Sequence, residues 1–511
     1  LVVRLARRAA RSAHAPSTLT MWHVISQFFV LSTAPRELWI LFLLKLLESF
    51  AHFSLSYVLV LYLSEEFGYS DQSAGWVYGF FGMLISIYGV LVGFLIDRLG
   101  VRLALMLGSF LLLGGRLGVA VTHDEAVLEA LLLCVLPLGE ALGVPVMLVG
   151  LRRYTSDENR RQAFALFYVV MNVGVLLSAP AVDVFRLALA DGVDVSLHLL
   201  GGAYNIHLSA YRLLLLCGFG ASVVMLAVST CCLREVDVDR HGRLAAARRP
   251  RREAPWRAAY LVLREARFWR FLLFVVLLVG VRFIFRHLDA TFPKYMVRQF
   301  DRRTPFGTYL ALNPLLVIVL LPFISAFTPR VSAFRMILGG SLISAVSAFA
   351  LAASPTPRGA IAFVALLSIG EAVWSPRLYE YSTMIAPKGR EGTYMALASA
   401  PNFAARLTVG GLSGALLTAY CPDETHCDGQ RLWLTIGLMT ISSPILMLLL
   451  RRVIAPDEGL DDDHGDAQEK APLVAHRGEY ANGSAPSGLT AATCKARPAA
   501  ASQDFGNGIQ C

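Results

Sequence analysis

The chain has 511 residues, of which 56% are hydrophobic and only 16% are charged, and its formal net charge is +9. About a dozen apolar segments lie between residues 38 and 452, and the remaining polar segments are too few to coat them in one soluble core. A helix needs about 20 apolar residues to cross the roughly 30 Å of bilayer hydrocarbon. The composition therefore excludes a soluble protein and predicts an all-α polytopic membrane protein.

The predicted elements start with an N-terminal segment, residues 1–37. Residues 1–20 are rich in Arg, Ala and Ser and lack acidic residues, which is typical of an organelle transit peptide; the alternative is a start at Met21. Lipid satisfies no backbone hydrogen bonds, so each span must be a helix. Twelve transmembrane helices are predicted, at 38–63, 75–96, 102–121, 126–150, 162–190, 210–233, 269–296, 306–328, 333–353, 359–384, 393–419 and 432–451.

A long basic loop, residues 234–268, divides the spans six and six. It separates an N-terminal six-helix bundle, 38–233, from a C-terminal six-helix bundle, 269–452. Parallel six-span repeats of this kind are typical of secondary transporters. The last segment, 453–511, is rich in Gly, Ala and Asp with few large apolar residues, which predicts a disordered tail.

Arg and Lys cluster in every second loop, whereas the loops between them carry acidic residues such as Glu65 and Asp71. The positive-inside rule then places both termini and the basic linker in the cytoplasm. The loop with Arg298, Arg302 and Arg303 is an exception. The net charge is thus a signal of topology, and we expect the lipid bilayer rather than nucleic acid as the partner.

Two of the eight cysteines, Cys421 and Cys427, share a predicted outward loop, six positions apart. A disulfide between them is predicted if that loop faces an oxidising compartment. Cys and His occur nowhere with the spacing of metal ligands. We therefore expect no metal site and no cofactor.

The most specific motif lies in the loop between the second and third spans and reads Gly93-Phe-Leu-Ile-Asp97-Arg98-Leu-Gly100-Val-Arg102. It resembles the signature of the major facilitator superfamily, Gly-x-x-x-Asp-Arg-x-Gly-x-Arg. The two glycines permit close helix approach and a tight turn. The Asp97 carboxylate can accept from the amides of a helix N-terminus and from Arg102. We predict a charged cytoplasmic gate that forms in one state and breaks in another; the alternative is a solvated turn.

Three further stretches resemble the proton-dependent oligopeptide transporters, a family of major facilitators. Span one contains Glu48-Ser49-Phe50-Ala51-His52-Phe53, similar to the end of that family's Glu-x-x-Glu-Arg-Phe-x-Tyr-Tyr. Span five contains Phe167-Tyr168-Val-Val-Met171-Asn172-Val-Gly174, similar to Phe-Tyr-x-x-Ile-Asn-x-Gly. Span ten contains Gly370-Glu371-Ala-Val-Trp374-Ser375-Pro376, which matches Gly-Glu-x-x-x-Ser-Pro. This resemblance implies the major facilitator fold and proton-coupled transport of a peptide-like solute.

Span one departs from the family pattern at the residues that carry proton coupling. Lys45 replaces the first Glu and Ser49 replaces the Arg, so only Glu48 remains. Lys45 and Glu48 are three positions apart and can pair on one helix face. The chain therefore resembles a divergent relative, and peptide specificity does not transfer from the family.

Charged residues inside spans are costly, and they mark cavities or mutually paired groups. They recur in at least six spans of this chain: Lys45, Glu48, His52, Arg116, Glu140, Arg282, Arg286, His287, Asp289, Glu371, Arg377, Glu380 and Arg406. Arg282, Arg286 and Asp289 fall on one helix face, and Asp289 lies one turn before Pro293, a predicted kink. The alternative reading is that these charges pair and hold helices together.

We interpret the chain as a secondary active transporter that works by alternating access, most simply as a monomer. The predicted substrate site comprises Glu371 for an amine, Arg282 and Arg286 for a carboxylate or phosphate, and Trp374, Tyr168 and Asn172 around them. Glu48 or Asp289 would carry the coupled proton. Two alternatives stay open: an organic-anion or sugar-phosphate carrier, and a membrane sensor that uses the same fold without transport. Neither a catalytic constellation nor a phosphate-binding loop is found, so an enzyme is not expected.

Overall fold

The structure is a computed structural model that describes residues 31, 34–156, 159–199, 202–238, 244–246, 260, 263–328, 331–385, 401–423 and 426–454. Residues 1–30, most of the predicted basic linker and residues 455–511 of the predicted tail lie outside this set. The described residues all belong to one compact unit, which ends at Glu458.

The first six predicted spans are mostly helical; among their described residues, 142–143, 189–190 and 232–233 are not. Their helices are α1 (Arg36–Phe67), α2 (Asp71–Val121), α3 (Glu125–Ala130), a π-helical turn (Leu131–Val135), α4 (Leu136–Ala141), α5 (Val144–Arg153), α6 (Arg160–Ala188) and α7 (Ala210–Cys231). Helix α2 contains the second and third spans, which meet at Gly100. That residue has φ of 80° and ψ of 171° and interrupts the helix.

The last six predicted spans form a second series of helices. These are α8 (Ala266–Ala290), α9 (Phe292–Gln299), α10 (Phe306–Phe327), α11 (Ala333–Ala353), α12 (Pro357–Ile385), α13 (Pro401–Tyr420) and α14 (Gly429–Leu449), followed by the short α15 (Arg451–Ile454). Among the described residues, ten helical segments are long and apolar enough to cross a membrane. The predicted spans 75–96 and 393–419 are not among the ten, but they overlap the first part of α2 and α13. The all-α polytopic prediction is confirmed, and the predicted number of twelve spans is consistent with this arrangement.

Short polar side chains cap many of these helices where the chain enters them. At five helix starts a Ser or Asp side chain accepts a hydrogen bond from the backbone N–H three residues later: Ser70, Asp124, Ser209, Ser332 and Asp428. Such caps satisfy amides that have no partner within the helix. At the other end of α1, Gly68 adopts φ of 69°, a left-handed conformation that glycine reaches without a steric penalty. Local sequence therefore fixes many of the boundaries.

Prolines break the spans at two points. Pro137 follows the π-helical turn, and Pro145 opens α5 directly after the break at Leu142–Gly143. The predicted kink near Pro293 is confirmed, because α8 ends at Ala290 and α9 restarts at Phe292. Proline lacks the N–H that continues a helix, so backbone at membrane depth is left to bond elsewhere.

Two short antiparallel hairpins lie outside the spans. Strands β1 (Val193–Leu199) and β2 (Gly202–Leu208) pair in the connection between α6 and α7, with Val193 opposite Leu208. Strands β3 (Val236–Val238) and β4 (Leu244–Ala246) pair within the predicted linker. Strands β3 and β4, of three residues each, are too short to show an alternating pattern. Strand β1 does alternate apolar and polar residues, VDVSLHL, and its signal was overlooked.

Glycines bring α2 and α13 into close contact. A Cβ on Gly79 would lie 3.1 Å from Gly410 Cα, and a Cβ on Gly414 would lie 2.7 Å from Gln72 Cα. Small residues of this kind let two helix backbones approach each other in a membrane. The close packing joins the first half of the chain to the second half and carries Arg406, one turn from Gly410, towards the centre of the molecule.

Candidate functional site

A cavity of about 300 Å³ lies between helices from both halves of the chain. Its lining consists of Ser86, Tyr168, Met171, Arg282, Phe285, Arg286, Glu371, Trp374, Ser375, Leu378, Ala405 and Arg406. Five of the six residues predicted to bind substrate are therefore brought together here. The cavity combines apolar walls with a few converging polar groups, which is the usual character of a small-molecule site.

Glu371 on α12 is held by neutral donors. Asn313 Nδ2 on α10 donates to Glu371 Oε2 over 2.9 Å, and the Tyr168 hydroxyl on α6 donates to Oε1 over 3.3 Å. The Tyr168 hydroxyl also lies 3.4 Å from Ser375 Oγ. The bonds from Asn313 and Tyr168 fix the carboxylate at the cavity wall, yet neither donor neutralises its charge.

The guanidinium groups of the cavity come from α8 and α13. Arg286 Nη1 lies 3.1 Å from Asp289 Oδ2, and the Tyr78 hydroxyl on α2 donates to the same oxygen over 3.2 Å. Arg406 donates to the Gly82 carbonyl oxygen over 3.3 Å. Three guanidinium groups, those of Arg282, Arg286 and Arg406, thus face two carboxylates, and the cavity carries an excess of positive charge.

Of two residues predicted to bind substrate, Trp374 lines the cavity and Asn172 does not. Trp374 lies at the cavity wall, buried and edge-to-face with Phe285 at 5.9 Å between ring centroids. Asn172 is absent from the lining; it is buried, and its side-chain amide donates to the Tyr168 carbonyl oxygen one turn earlier in α6. The sequence pattern placed Asn172 near the site but could not distinguish a lining residue from one that packs behind it.

A second charged cluster lies in the first half of the chain. Lys45 Nζ pairs with Glu48 Oε2 at 2.7 Å, and Arg116 Nη2 pairs with Glu140 Oε1 at 2.9 Å. His52 Nδ1 lies 3.4 Å from Glu140 Oε2. The four paired side chains are each about 4% exposed or less, so two cations and two carboxylates balance each other away from water.

Glu48, His52 and Glu140 present ligand atoms within 4.8 Å of one another. Lys45 and Arg116 already neutralise both carboxylates, so a divalent cation would have to displace two paired cations. Because the two carboxylates are already paired with two cations, we assign no metal to this cluster.

One face of the molecule is closed by contacts between the two halves. Asp71 at the start of α2 accepts from Lys294 Nζ over 2.6 Å and from both Nη atoms of Arg298, over 2.7 and 2.9 Å. Lys294 also donates to Ser64 Oγ, over 2.5 Å. These pairs, which we call the Asp71 lock, were missed by the sequence analysis. Arg298 was visible in the sequence as an exception to the positive-inside rule, and its pairing with Asp71 gives the physical reason.

A second contact on this face caps α10. Asp183 on α6 accepts from the N–H groups of Gly307 and Thr308 over 2.8 and 2.6 Å, and from Thr308 Oγ1 over 2.7 Å. Nearby, Arg186 donates to the carbonyl oxygens of Arg302 and Thr304. The carboxylate thus joins the two halves through a helix N-terminus, where negative charge is favoured.

The disulfide lies beside the Asp71 lock. Cys421 and Cys427 are bonded across a six-residue separation, with their Cα atoms 4.0 Å apart. Arg298 donates to the Cys421 carbonyl oxygen over 2.8 Å. The bridged loop therefore supplies one of the acceptors that hold Arg298 in place.

The predicted gate motif is described in part. Gly100 has the positive φ that its position in the motif suggested, and the N–H groups of Val101 and Arg102 donate to the Glu235 carboxylate over 3.0 and 2.8 Å. Arg153 pairs with the same carboxylate at 2.9 Å, and Arg102 donates to the Thr230 carbonyl oxygen over 2.6 Å. The side chains at 93–98, which include Gly93, Asp97 and Arg98, lie outside the described residues.

Glu235 was missed because it follows the sixth span, about 130 positions from the motif. A carboxylate that caps a helix from a distant part of the chain cannot be recognised from the residues around that helix start. The same reason explains why Asn313 and Tyr78 were not predicted as partners of Glu371 and Asp289. It also explains why Arg406 was not assigned to the cavity, although it stood out as a charge inside a span.

Comparisons with known proteins identify the family and the fold of the chain. The family model for the Major Facilitator Superfamily matches residues 41–406. Dipeptide and tripeptide permease B of Salmonella typhimurium is 27% identical over 182 residues, which cover 35% of this chain and 36% of that protein. The protein of the same name from Photorhabdus luminescens is 24% identical over 200 residues, or 39% and 37% of the two chains. The matched region thus spans little more than a third of the length of these curated relatives.

Solved structures resemble the chain over a longer stretch. A POT family transporter in complex with 5-aminolevulinic acid has a TM-score of 0.66 at 15% identity and covers 82% of this chain and 97% of its own. A peptide transporter POT in complex with sulfate has a TM-score of 0.64 at 18% identity and covers 83% and 95%. At such identities the likeness concerns the fold. With the family model matching most of the chain, this protein belongs to the Major Facilitator Superfamily.

Proposed function

We propose that this protein is a secondary active transporter of a small amine-bearing anion, such as a short acidic peptide. The observation that carries the proposal is the central cavity, where Glu371 faces the guanidinium groups of Arg282, Arg286 and Arg406 between the two halves of the chain. Alternating access requires a site whose ligand contacts come from both halves. The site therefore suits a solute that carries a cationic and an anionic end.

The charge balance of the cavity narrows the substrate class. Glu371 would hold an amine, since its partners Asn313 and Tyr168 are neutral donors. The guanidinium excess favours a substrate with two acidic groups, because Asp289 already occupies one side of Arg286. A cavity of about 300 Å³ accommodates a molecule the size of a dipeptide. The 5-aminolevulinic acid bound by one structural relative also pairs an amine with a carboxylate.

Proton coupling is the second part of the proposal, with Glu48 and Asp289 as carriers. Asp289 is beside the cavity lining and shares Arg286 with it, whereas Glu48 is paired with Lys45 in the buried cluster. Asp289 is thus better placed to exchange a proton with a solvated cavity. If Asp289→Asn and Glu48→Gln both accumulated substrate as the wild type does, this assignment would be wrong.

Two gates would alternate around the site. The Asp71 lock would close the outward face, and the motif of residues 93–102 with Glu235 would close the cytoplasmic face, on which both termini are proposed to lie. Protease treatment of sealed, oriented vesicles tests this topology. Protection of residues 240–257 from protease added on the cytoplasmic side would overturn it.

The decisive experiment is uptake into liposomes that contain the purified protein, with and without an inward proton gradient. Three dipeptides of similar size and different net charge serve as probes: alanylglutamate, alanylalanine and alanyllysine. The cavity predicts faster uptake of alanylglutamate than of alanylalanine, with alanyllysine slowest. The reverse order would contradict the assignment of the three arginines to the substrate.

The guanidinium excess also supports a second candidate, an organic-anion or sugar-phosphate carrier. Such a carrier would move glycerol phosphate and would not need the amine contact of Glu371. Binding of any of these probes without flux would instead favour a membrane sensor. The same liposome assay thus separates the three functions.

A further inference from the structure

Helix α7 ends at two adjacent cysteines, Cys231 and Cys232, which take no part in the cavity or in either charged cluster. Both residues are exposed, and neither is in a disulfide. Cys231 is the last residue of the helix, and Cys232 is the first residue beyond it. Two exposed thiols thus follow each other where a membrane span ends, which is the position at which cysteines of membrane proteins accept fatty acids.

Cys231 belongs to the face of α7 that points away from the rest of the protein. Exposed residues follow this face at intervals of three or four positions: Cys217, Gly220, Val224, Ala227 and Cys231. Residues so spaced lie on one side of a helix, and we call this side the lipid-facing seam. The opposite side, which includes Ser222 and Met225, is buried. Because α7 is long and apolar enough to cross a membrane, the Cys231 thiol lies where the seam reaches the membrane surface.

Basic residues surround this end of α7. Arg36 donates to the Cys232 carbonyl oxygen over 2.9 Å, and Arg102 donates to the Thr230 carbonyl oxygen over 2.6 Å. Arg234 follows shortly after and is exposed. Arginines at a membrane surface are attracted to anionic lipid headgroups and hold a segment against them. Both hydrogen bonds use backbone carbonyl oxygens, so a modified thiol leaves them intact.

We propose that Cys231 and Cys232 form a site of S-acylation by a long-chain fatty acid. The inference goes beyond transport and rests on the proposed function only for its topology, in which this end of α7 is cytoplasmic. The co-substrate is a long-chain acyl-coenzyme A, used by a membrane acyltransferase. The cysteine thiolate attacks the thioester carbonyl carbon, and the bond from that carbon to the sulfur of coenzyme A breaks. Coenzyme A leaves as a thiol with the proton that the cysteine gave up.

The modification would act next to the cytoplasmic gate. Glu235, four positions after Cys231, accepts from the N–H groups of Val101 and Arg102 over 3.0 and 2.8 Å. An acyl chain on Cys231 enters the bilayer along the lipid-facing seam and anchors the segment that carries Glu235. Thioesters can be cleaved again, so this anchor is reversible.

The test is labelling of the full-length protein with an alkyne analogue of palmitate in a eukaryotic expression host. Cys494 and Cys511 are replaced by serine in every protein compared, because thiols of the tail would add a label of their own. We expect a label on this parent protein that neutral hydroxylamine removes, since that reagent cleaves thioesters and leaves amides intact. The double variant Cys231→Ser, Cys232→Ser should lose the label and elute from size exclusion as the parent does.

Cys217→Ser is the matched control. Cys217 is exposed on the same seam, but it lies 14 positions before Cys231, which is roughly 21 Å along the helix axis. The hydrocarbon is roughly 30 Å thick, so this thiol lies inside it, where the polar coenzyme A thioester does not reach. Loss of the label in the double variant, together with a parental label in Cys217→Ser, supports the proposal.

Four outcomes overturn it. A label retained by the double variant places the acyl group elsewhere, and a label lost from Cys217→Ser contradicts the choice of thiols. An unlabelled parent whose residues 240–257 are cleaved by protease from the cytoplasmic side overturns this inference and leaves the topology intact. Protection of those residues overturns the topology, and this inference fails with it. The uptake of dipeptides is measured separately and does not depend on these results.

Discussion

Two clusters of buried charge in this protein differ in their balance. In the first half of the chain, Lys45 and Arg116 pair with Glu48 and Glu140, and all four are almost fully buried. In the central cavity, three arginines meet two carboxylates, and Glu371 has only neutral donors. A cluster with equal numbers of positive and negative groups needs no ligand to neutralise it. A cluster with an excess of one charge is stabilised by a ligand that carries the opposite charge. This difference is what the proposed function predicts for charges that hold helices together and charges that bind a substrate.

The largest effect is expected where the balanced cluster is broken. Arg116→Met removes one partner of Glu140 and leaves a buried carboxylate without its ion pair, which costs about 3–5 kcal/mol of the free energy of unfolding. The double variant Arg116→Met, Glu140→Met should recover most of this loss, since it removes both charges. Unfolding of the purified protein in a detergent series, followed by circular dichroism, measures both. Equal stability of wild type and single variant would show that the cluster does not hold the helices.

Removing charge from the unbalanced cluster should instead change affinity. Glu371→Gln keeps the shape of the side chain, so stability should change little. The amine of alanylglutamate should bind more weakly by about 1.5–3 kcal/mol, which is roughly ten- to more than a hundredfold in Kd.

The control for Glu371→Gln is a change in the ligand. N-acetyl-alanylglutamate lacks the amine, so the wild type should discriminate against it and the variant should not. Equilibrium binding of the two ligands to both proteins gives the comparison. Equal discrimination by both proteins would remove Glu371 from the amine site.

A milder change sharpens the role of the arginines. Arg406→Lys keeps the positive charge but loses the planar pair of donors that matches a carboxylate. We expect about tenfold weaker binding of alanylglutamate, or about 1.4 kcal/mol, with a smaller effect on alanylalanine. Arg431→Lys is a suitable control, because Arg431 pairs with Asp428 at an exposed position. An equal loss for both dipeptides would indicate that Arg406 acts through packing against Gly82.

The smallest effect is expected at the closed face, where a carboxylate belongs to neither cluster. Asp183→Asn keeps one acceptor for the N–H groups of Gly307 and Thr308 but loses the negative charge at the start of α10. A cap of this kind contributes about 1 kcal/mol, so the face should open more often without the protein unfolding. The measurement is the rate at which a thiol reagent, added on the closed-face side of sealed vesicles, labels a cysteine introduced into the cavity. Labelling should be faster in the Asp183→Asn variant than in a protein that carries the same cysteine and the wild-type Asp183. An unchanged rate would mean that the Asp71 lock alone keeps the face closed.

The amino-acid sequence by itself determined that the chain lies in a membrane, where its spans are, and which charged residues lie within them. Span length, the capping residues such as Ser70 and Asp124, and the break at Pro293 are local properties, since a helix forms or ends according to residues within a few turns. The pairing of Lys45 with Glu48 and the left-handed Gly100 are local for the same reason. The family resemblance located Glu371, Trp374 and Tyr168 at one cavity.

Only the tertiary structure decided which charges meet. Glu235 reaches the gate motif from about 130 positions away, Asn313 reaches Glu371 from another helix, and Arg298 reaches Asp71 across the two halves. The periodicity of a helix states which face a side chain occupies but not which helix packs against that face. The partner of a buried charge depends on that packing, so the balance that distinguishes a structural cluster from a binding site could be determined only in three dimensions.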